Sequence, residues 1–289
     1  MPNTIALAKS YTDLLDEVYK KASVTADLTG DPHMVRAGAN AREILYPQIS
    51  TSGLGDYDRT TGYTDGSVNL EWVTTEYNYD RGTKISVDTM DDQETFNLAY
   101  GMAGSTLQRE KVAPEADAFT FATLAGITGI SKVDGTYANA DAFLAALLEA
   151  KNTMDEGEVP EEGRILYATS TLLNSLLMLE TYKSKEVLAA YTIKKSVPQS
   201  RFYTAIDLLD GKTPGEELGH FQKATSAKDI NFMIIHKPAI IKHDKHVVGS
   251  VISPDQNQNA DAYMVKYRKY GIVDVYKNKK KGIYLSHKA

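Results

Sequence analysis

Sixteen residues, "TSGLGDYDRTTGYTDG" (Thr51–Gly66), are almost wholly Gly, Asp, Thr, Ser and Tyr, with Leu54 as the sole large aliphatic. Loops of that length are uncommon in a compact domain unless they bind or reach for something. Both flanks read as strands. "EILYPQIS" (43–50) is a strand pattern interrupted by Pro47, and proline in a strand implies an edge or a bulge. In "SVNLEWVTTEY", Val68, Leu70 and Trp72 alternate with Asn69, Glu71 and Val73, the period of a half-buried strand. The chain is therefore expected to carry a long polar hairpin with little core of its own.

The rest of the 289 residues can fill a core: 42% are apolar and 24% charged, which suits one large domain or two modest ones. There are no cysteines, which excludes disulfides and thiolate metal sites. The N-terminus lacks the basic start and apolar centre of a secretion signal, and no stretch approaches the ~18 apolar residues of a membrane span. The expectation is a soluble protein made in the cytoplasm. Net charge is −6, yet from Val265 onward eight basic residues accompany one acid. Such an asymmetry marks either a surface for acidic partners or a solvated strand end.

Residues 3–23 read as a short polar helix and 24–42 as irregular. "DRG" at 80–82 reads as a turn before a strand at 83–88. "DDQE" at 91–94 is a helix start, followed at helical spacing by Phe96, Ala99, Tyr100, Ala103 and Leu107. Pro114, followed by Glu115 and Asp117, fits the first position of a restarted helix ending near Leu124. From Gly129 to Ser253 the pattern is mixed α/β. It contains a helix at 139–154 capped by Asn139, strands at 164–168, 230–236 and 246–252, and a helix from Ser170. In the tail, Tyr263, Val265 and Tyr267 alternate with Met264, Lys266 and Arg268, and "IYLS" after "KNKKKG" reads as the closing strand of a hairpin.

Chemical motifs are absent or incomplete. The dinucleotide fingerprint beginning at Gly53 and Gly55 has Asp58 where its third glycine belongs. The calcium-loop pattern from Asp56 has Thr61 for its glycine and Ser67 for its glutamate. His236, His243, Asp244 and His246 could hold zinc, but their spacing matches no metalloprotease pattern, and surface histidines between two strands are the plainer reading. No nucleophile elbow or phosphate loop occurs. No enzyme activity and no cofactor is expected, with a metal-dependent enzyme using His236, His243 and His246 as the alternative. Tyr63, Tyr77 and Tyr79 lie on the extended segment, where rings suit interfaces as well as strand packing.

In order, the segments from Ile49 to Thr95, "VAPEADAFTFATLAG" and "SPDQNQNADAYMVKYRKYGIVDVYKNKKKGIYLS" resemble the extended loop, spine helix and C-terminal strands of major capsid proteins of tailed bacteriophages. That family has the Hong Kong 97-type capsid fold, an α+β fold. The resemblance implies an N-terminal arm (1–38), an extended loop (39–76), a peripheral domain with the spine helix (77–128) and an axial domain (129–253). Return strands of the peripheral domain (254–289) would follow. It implies self-assembly into pentamers and hexamers of an icosahedral shell around double-stranded DNA, and a location in the virion. Partners would be packaged DNA through non-specific contact, a portal, and a separate scaffolding protein, since the arm starts at Met1. No membrane is involved. Encapsulin nanocompartments share the fold and are the same-class alternative.

Some relatives weld subunits through a lysine in the extended loop; here no lysine lies between Ala22 and Thr83. Between Glu43 and Gly82, seven acids accompany two arginines. The expected inter-subunit contact therefore sets Asp56, Asp58, Arg59, Tyr63, Asp65 and Trp72 against Lys279, Lys280 and Lys281 on the basic tail strands of a neighbour.

Overall fold

The computed structural model describes residues 22–30, 36–37, 42–94, 98–179 and 182–289. Most of the expected N-terminal helix lies outside them. Strands β1 (Arg36–Ala37), β2 (Glu43–Thr51) and β3 (Val68–Glu76) form one antiparallel sheet. β4 (Tyr79–Asp88) leads into α1 (Thr89–Glu94), where Asp88 Oδ1 accepts the Met90 N–H at 2.9 Å. Next come α2 (Leu98–Leu107), a π-helical turn (Gln108–Val112) and α3 (Ala113–Gly126). β5 (Ser131–Asp134), α4 (Ala140–Glu156), β6 (Arg164–Thr169), α5 (Ser170–Leu177), α6 (Tyr182–Ala189) and β7 (Ile193–Val197) follow. The chain ends with β8 (Ile206–Leu208), β9 (Phe221–Lys223), β10 (Ile230–His236), β11 (Ile240–Ile252), β12 (Ala262–Val275) and β13 (Ile283–His287).

A five-stranded mixed sheet, β5-β13-β10-β6-β7, is covered on both faces. Ile165, Tyr167, Met233, Ile235, Ile283 and Leu285 point toward Phe121 and Leu124 of α3. Leu166, Ala168, Phe232, Ile234 and Tyr284 point toward Phe143, Leu147, Ala150 and Met154 of α4. Double coverage is why "INFMIIH" is an unbroken apolar run rather than an alternating one. The second long sheet, β11-β12-β4, puts Val265, Tyr267 and Val273 on its buried face, as the tail alternation predicts. α4 begins where Asn139 caps it, its Oδ1 accepting the Ala142 N–H at 2.8 Å.

The α-helix restarts at Ala113 with Pro114 in its first turn, as expected, but the π turn before it keeps helical backbone angles and joins it to α2 without a break. From Leu98 to Gly126 it is one rod, roughly 40 Å long at ~1.5 Å per residue. Pro114 has no N–H to offer the Glu110 carbonyl and its ring would crowd it; the wider π turn just before it makes room. Glu115 and Asp117 are therefore mid-rod and buried, not first-turn acids in solvent.

Three strand expectations also change. β2 runs through Pro47 without a break; on its other side only Ile44 and Leu45 are paired among the described residues, so Pro47 sits where the strand is an edge. "DRG" is not a turn. β4 continues through it, and Gly82 lets Arg268 of β12 approach: a Cβ there would stand 2.9 Å from the Tyr267 carbonyl oxygen. The last strand does not close a hairpin with the tail. β12 pairs with β11 and β4, whereas β13 crosses to the five-stranded sheet between β5 and β10.

Candidate functional site: the extended hairpin and its root

Strands β2 and β3 are held at their base through one face only. Ile44, Tyr46 and Val73 are buried against Ile241 and Ile272 of the β11-β12-β4 sheet. Tyr46 packs edge-on against Tyr276, with ring centroids 5.0 Å apart. Thr75 Oγ1 donates to Asp274 Oδ2 at 2.6 Å, and the Asn78 side chain exchanges two hydrogen bonds with the Val273 backbone. Farther out the same face carries Gln48, Ser50, Asn69 and Glu71.

The opposite face is apolar. Pro47 stands opposite Trp72, Ile49 opposite Leu70, and Thr51 opposite Val68. Ile49 is 61% exposed, Leu70 54%, Val68 73% and Trp72 39%. The period of two is real, but the expected half-burial is not met within one chain: Val73, from the other face, is the residue that reaches the core.

The tip is built rather than loose. The Ser52 N–H donates to Ser67 O, and the Ser67 N–H to Ser52 Oγ, both at 2.9 Å. Asp58 exchanges two backbone bonds with Gly62, whose φ of +85° needs glycine. Asp58 Oδ1 accepts the N–H groups of Thr60 and Thr61, which hold its carboxyl below the usual range. Tyr57 and Tyr63 meet edge-on at 4.9 Å. Asp56, Asp58, Arg59, Tyr63 and Asp65 are all exposed here, and Trp72 lies on the shaft below them.

Lys279, Lys280 and Lys281 are not on a tail strand. They occupy the 3₁₀ turn Lys277–Gly282 between β12 and β13. Lys279 Nζ donates to Pro238 O at 3.2 Å, and the stems of Lys280 and Lys281 pass Gly129 and Gly157. On β12 itself Arg268 makes a forked pair with Asp80 of its own chain at 2.9 and 2.8 Å. Lys269 is turned inward, 3.0 Å from Asp244. The histidine cluster does not assemble either. His236 is buried at the end of β10, His243 is half-buried on β11, and His246 is exposed beyond a bulge. Among the described residues no three metal-ligating side chains converge; the metal-enzyme alternative has no site there.

Two acids on the rod, Glu115 and Asp117, are buried rather than solvent-facing. Asp117 is fully buried and accepts from Ser23 Oγ at 2.7 Å, Val24 N at 2.9 Å, Thr25 N at 3.0 Å and Thr25 Oγ1 at 2.7 Å, with Arg201 Nη1 at 3.1 Å. Lys242 Nζ, also buried, donates to Thr25 O and Oγ1 at 2.9 and 2.7 Å. Burial, and Lys269 nearby, push its ammonium down to about 8. Together they lock residues 23–25, directly after the N-terminal segment, onto the rod.

Glu115 accepts from Arg81 Nε at 2.7 Å and Tyr79 Oη at 3.1 Å; Arg81 also holds the Leu209 and His220 carbonyls. Burial alone would raise the Glu115 carboxyl, but His220 and Arg81 beside it outweigh that and hold it low. The signal available in sequence was two acids inside the otherwise apolar run "VAPEADAFTFATLAG".

No family model matches the chain, and no curated protein matches it in sequence. Solved structures do. A chain of Mycobacterium phage Che8 aligns with a TM-score of 0.58 at 13% identity, over 91% of this chain and 90% of that one. A chain from the capsid structure of cyanophage P-SCSP1u gives 0.58 at 14% identity, over 93% and 88%. A chain of the virus-like particle from Pyrococcus furiosus gives 0.57 at 9% identity, over 97% and 99%. The likeness is one of fold: this chain has the Hong Kong 97-type capsid architecture.

Proposed function

We propose that this capsid-fold chain is the major capsid protein of a tailed bacteriophage, a structural subunit that assembles into the icosahedral head around double-stranded DNA. The observation that carries this reading is the hairpin whose apolar face leaves Ile49, Leu70 and Val68 54–73% exposed, outside the core clusters of the described residues. Burying a side chain of this size contributes ~1.5–3 kcal/mol, so a second copy laid under this face stabilises the arm far more than exposed ion pairs at ~0–1 kcal/mol each. The acids at the tip and the arginine among them steer the contact more than they strengthen it.

In this reading residues 1–38 are the arm and 39–76 the extended loop. Residues 77–128 and 254–289 form the peripheral unit around the rod, and 129–253 the axial unit. β11 joins the peripheral sheet and β13 joins the axial sheet, lacing the two together. A scaffolding protein, a portal and packaged DNA are the proposed partners, and the virion the proposed location. Electron micrographs of purified protein supplied with its scaffold should show closed shells or their pentamers and hexamers. Ile49→Ser with Leu70→Ser should abolish them while leaving the subunit's melting temperature within about 2 °C, since both side chains are more than half exposed. Monomers alone from the wild-type chain would refute the reading.

A further inference from the structure

A cavity of about 480 Å³ opens beside the π turn, between the rod, β4 and the loop joining β8 to β9. That volume falls within the range of small-molecule sites, ~300–1,000 Å³. Its wall is apolar where Leu107 and Val112 of the rod meet Tyr267 of β12. The loop beside it is well tied. The Leu209 N–H donates to the His220 carbonyl at its neck, Asp210 accepts the Lys212 and Thr213 N–H groups, and a Cβ on Gly211 would stand 3.7 Å from Gly219 Cα. Yet this ordered loop leaves Leu218, on the cavity's wall, 94% exposed. A lone exposed leucine is ordinary; here it extends an apolar surface that a ligand can cover.

Charge decides which apolar body the cavity takes. The acids lining it are already answered. Glu115 pairs with Arg81 at 2.7 Å. Asp210 also accepts from Thr213 Oγ1, and Glu217 accepts the Gly215 N–H, both at 2.8 Å. Lys84, Lys111 and Lys212 line the same cavity and are exposed, and their ammonium groups make no hydrogen bond or ion pair among the described residues. We propose that this cavity is a binding site for a small amphiphilic anion, a flat ring system or short chain carrying one carboxylate. The apolar body lies between Leu107, Val112, Tyr267 and Leu218, and the carboxylate stays at the mouth among the three ammonium groups. A neutral ring of the same shape gains the burial without that attraction, and a cationic one is repelled. The site belongs to the single subunit and does not depend on the shell reading above.

Three probes share one ring and separate the two contributions: 2-naphthoate, neutral 2-naphthol and cationic 2-naphthylmethylammonium. Titrated calorimetrically into unassembled subunits of the full chain, 2-naphthoate should bind with a Kd of about 0.1–1 mM. The alcohol should bind roughly fivefold more weakly and the amine more weakly still, and raising the salt from ~0.05 to ~0.5 M should narrow the gap. Lys111→Glu with Lys212→Glu should weaken 2-naphthoate by roughly tenfold and leave 2-naphthol unchanged, whereas Leu218→Asp should weaken both. These side chains are exposed, so the melting temperature of each variant should stay within about 2 °C of wild type. Lys281→Glu, on the 3₁₀ turn outside the cavity, should change nothing. Equal affinity for acid, alcohol and amine would overturn the assignment. So would 2-naphthoate binding that survives both cavity variants, or no binding at ~10 mM, beyond the range expected for a ligand of this size.

Discussion

Replacing Asp117 by alanine should loosen the subunit more than any surface change. The carboxylate is fully buried and accepts four hydrogen bonds from residues 23–25 besides pairing with Arg201. Alanine leaves those donors unsatisfied. Arg201, with 18% of its side chain exposed, then keeps only the Ala22 carbonyl at 3.1 Å among the described residues, and the buried Lys242 loses a compensating charge. Individual hydrogen bonds to a charged group contribute ~1.5–3 kcal/mol but are not additive. Removing one member of a buried pair costs about 3–5 kcal/mol, a large part of the 5–15 kcal/mol typical of a domain. At ~2–4 °C per kcal/mol for a chain of this size, the melting temperature should fall by roughly 6–20 °C. Calorimetry on unassembled subunits measures this, and limited proteolysis should show cleavage near residues 22–30 becoming fast. Asp117→Asn, which keeps the shape and one acceptor oxygen, should fall in between. A melting temperature within 2 °C of wild type and an unchanged digest would refute the clamp.

Lys242 imposes a pH signature: folded, its ammonium loses its proton near 8, while the unfolded chain keeps it to 10.5. Stability from this group is therefore lowest and flat below pH 8, and it rises between pH 8 and 10.5 by up to ~1.4 kcal/mol per unit. Lys242→Met should remove that rise in melting temperature, and a parallel pH curve for the variant would contradict it. With no lysine between Ala22 and Thr83, boiled shells should run as a single band near 31.8 kDa, and a ladder would show covalent welding from elsewhere. Reversing Lys279, Lys280 and Lys281 to Glu should leave DNA-free assembly at its normal rate, because these residues sit on a turn where their side chains lie along their own subunit. Slowed assembly would place the hairpin's seat on that turn.

What the chain determines by itself is local. Asn139 caps α4 because its side chain reaches a backbone N–H three residues on. The alternation through Tyr263, Val265 and Tyr267 marks the buried face of β12, because successive side chains of a strand point to opposite sides. Gly, Asp and Thr from 51 to 66 build a self-contained tip, because Asp58 and Gly62 close their own turn. Each outcome depends on neighbours a few residues away.

Tertiary structure decided the rest. The apolar face of the hairpin is exposed because Tyr46 and Val73, on the other face, find Ile241 and Ile272 some 170–230 residues on. β13 leaves the tail because the gap between β5 and β10 is apolar on both sides, and "IYLS" fills it. Glu115 and Asp117 look like solvent-facing helix acids until Arg81, Arg201 and residues 23–25 arrive from distant parts of the chain. Burying a carboxylate is unfavourable unless partners surround it, and those partners meet only in the completed fold. A cavity of about 480 Å³ beside the π turn has the same origin: the rod, β4 and the β8–β9 loop enclose it only once packed.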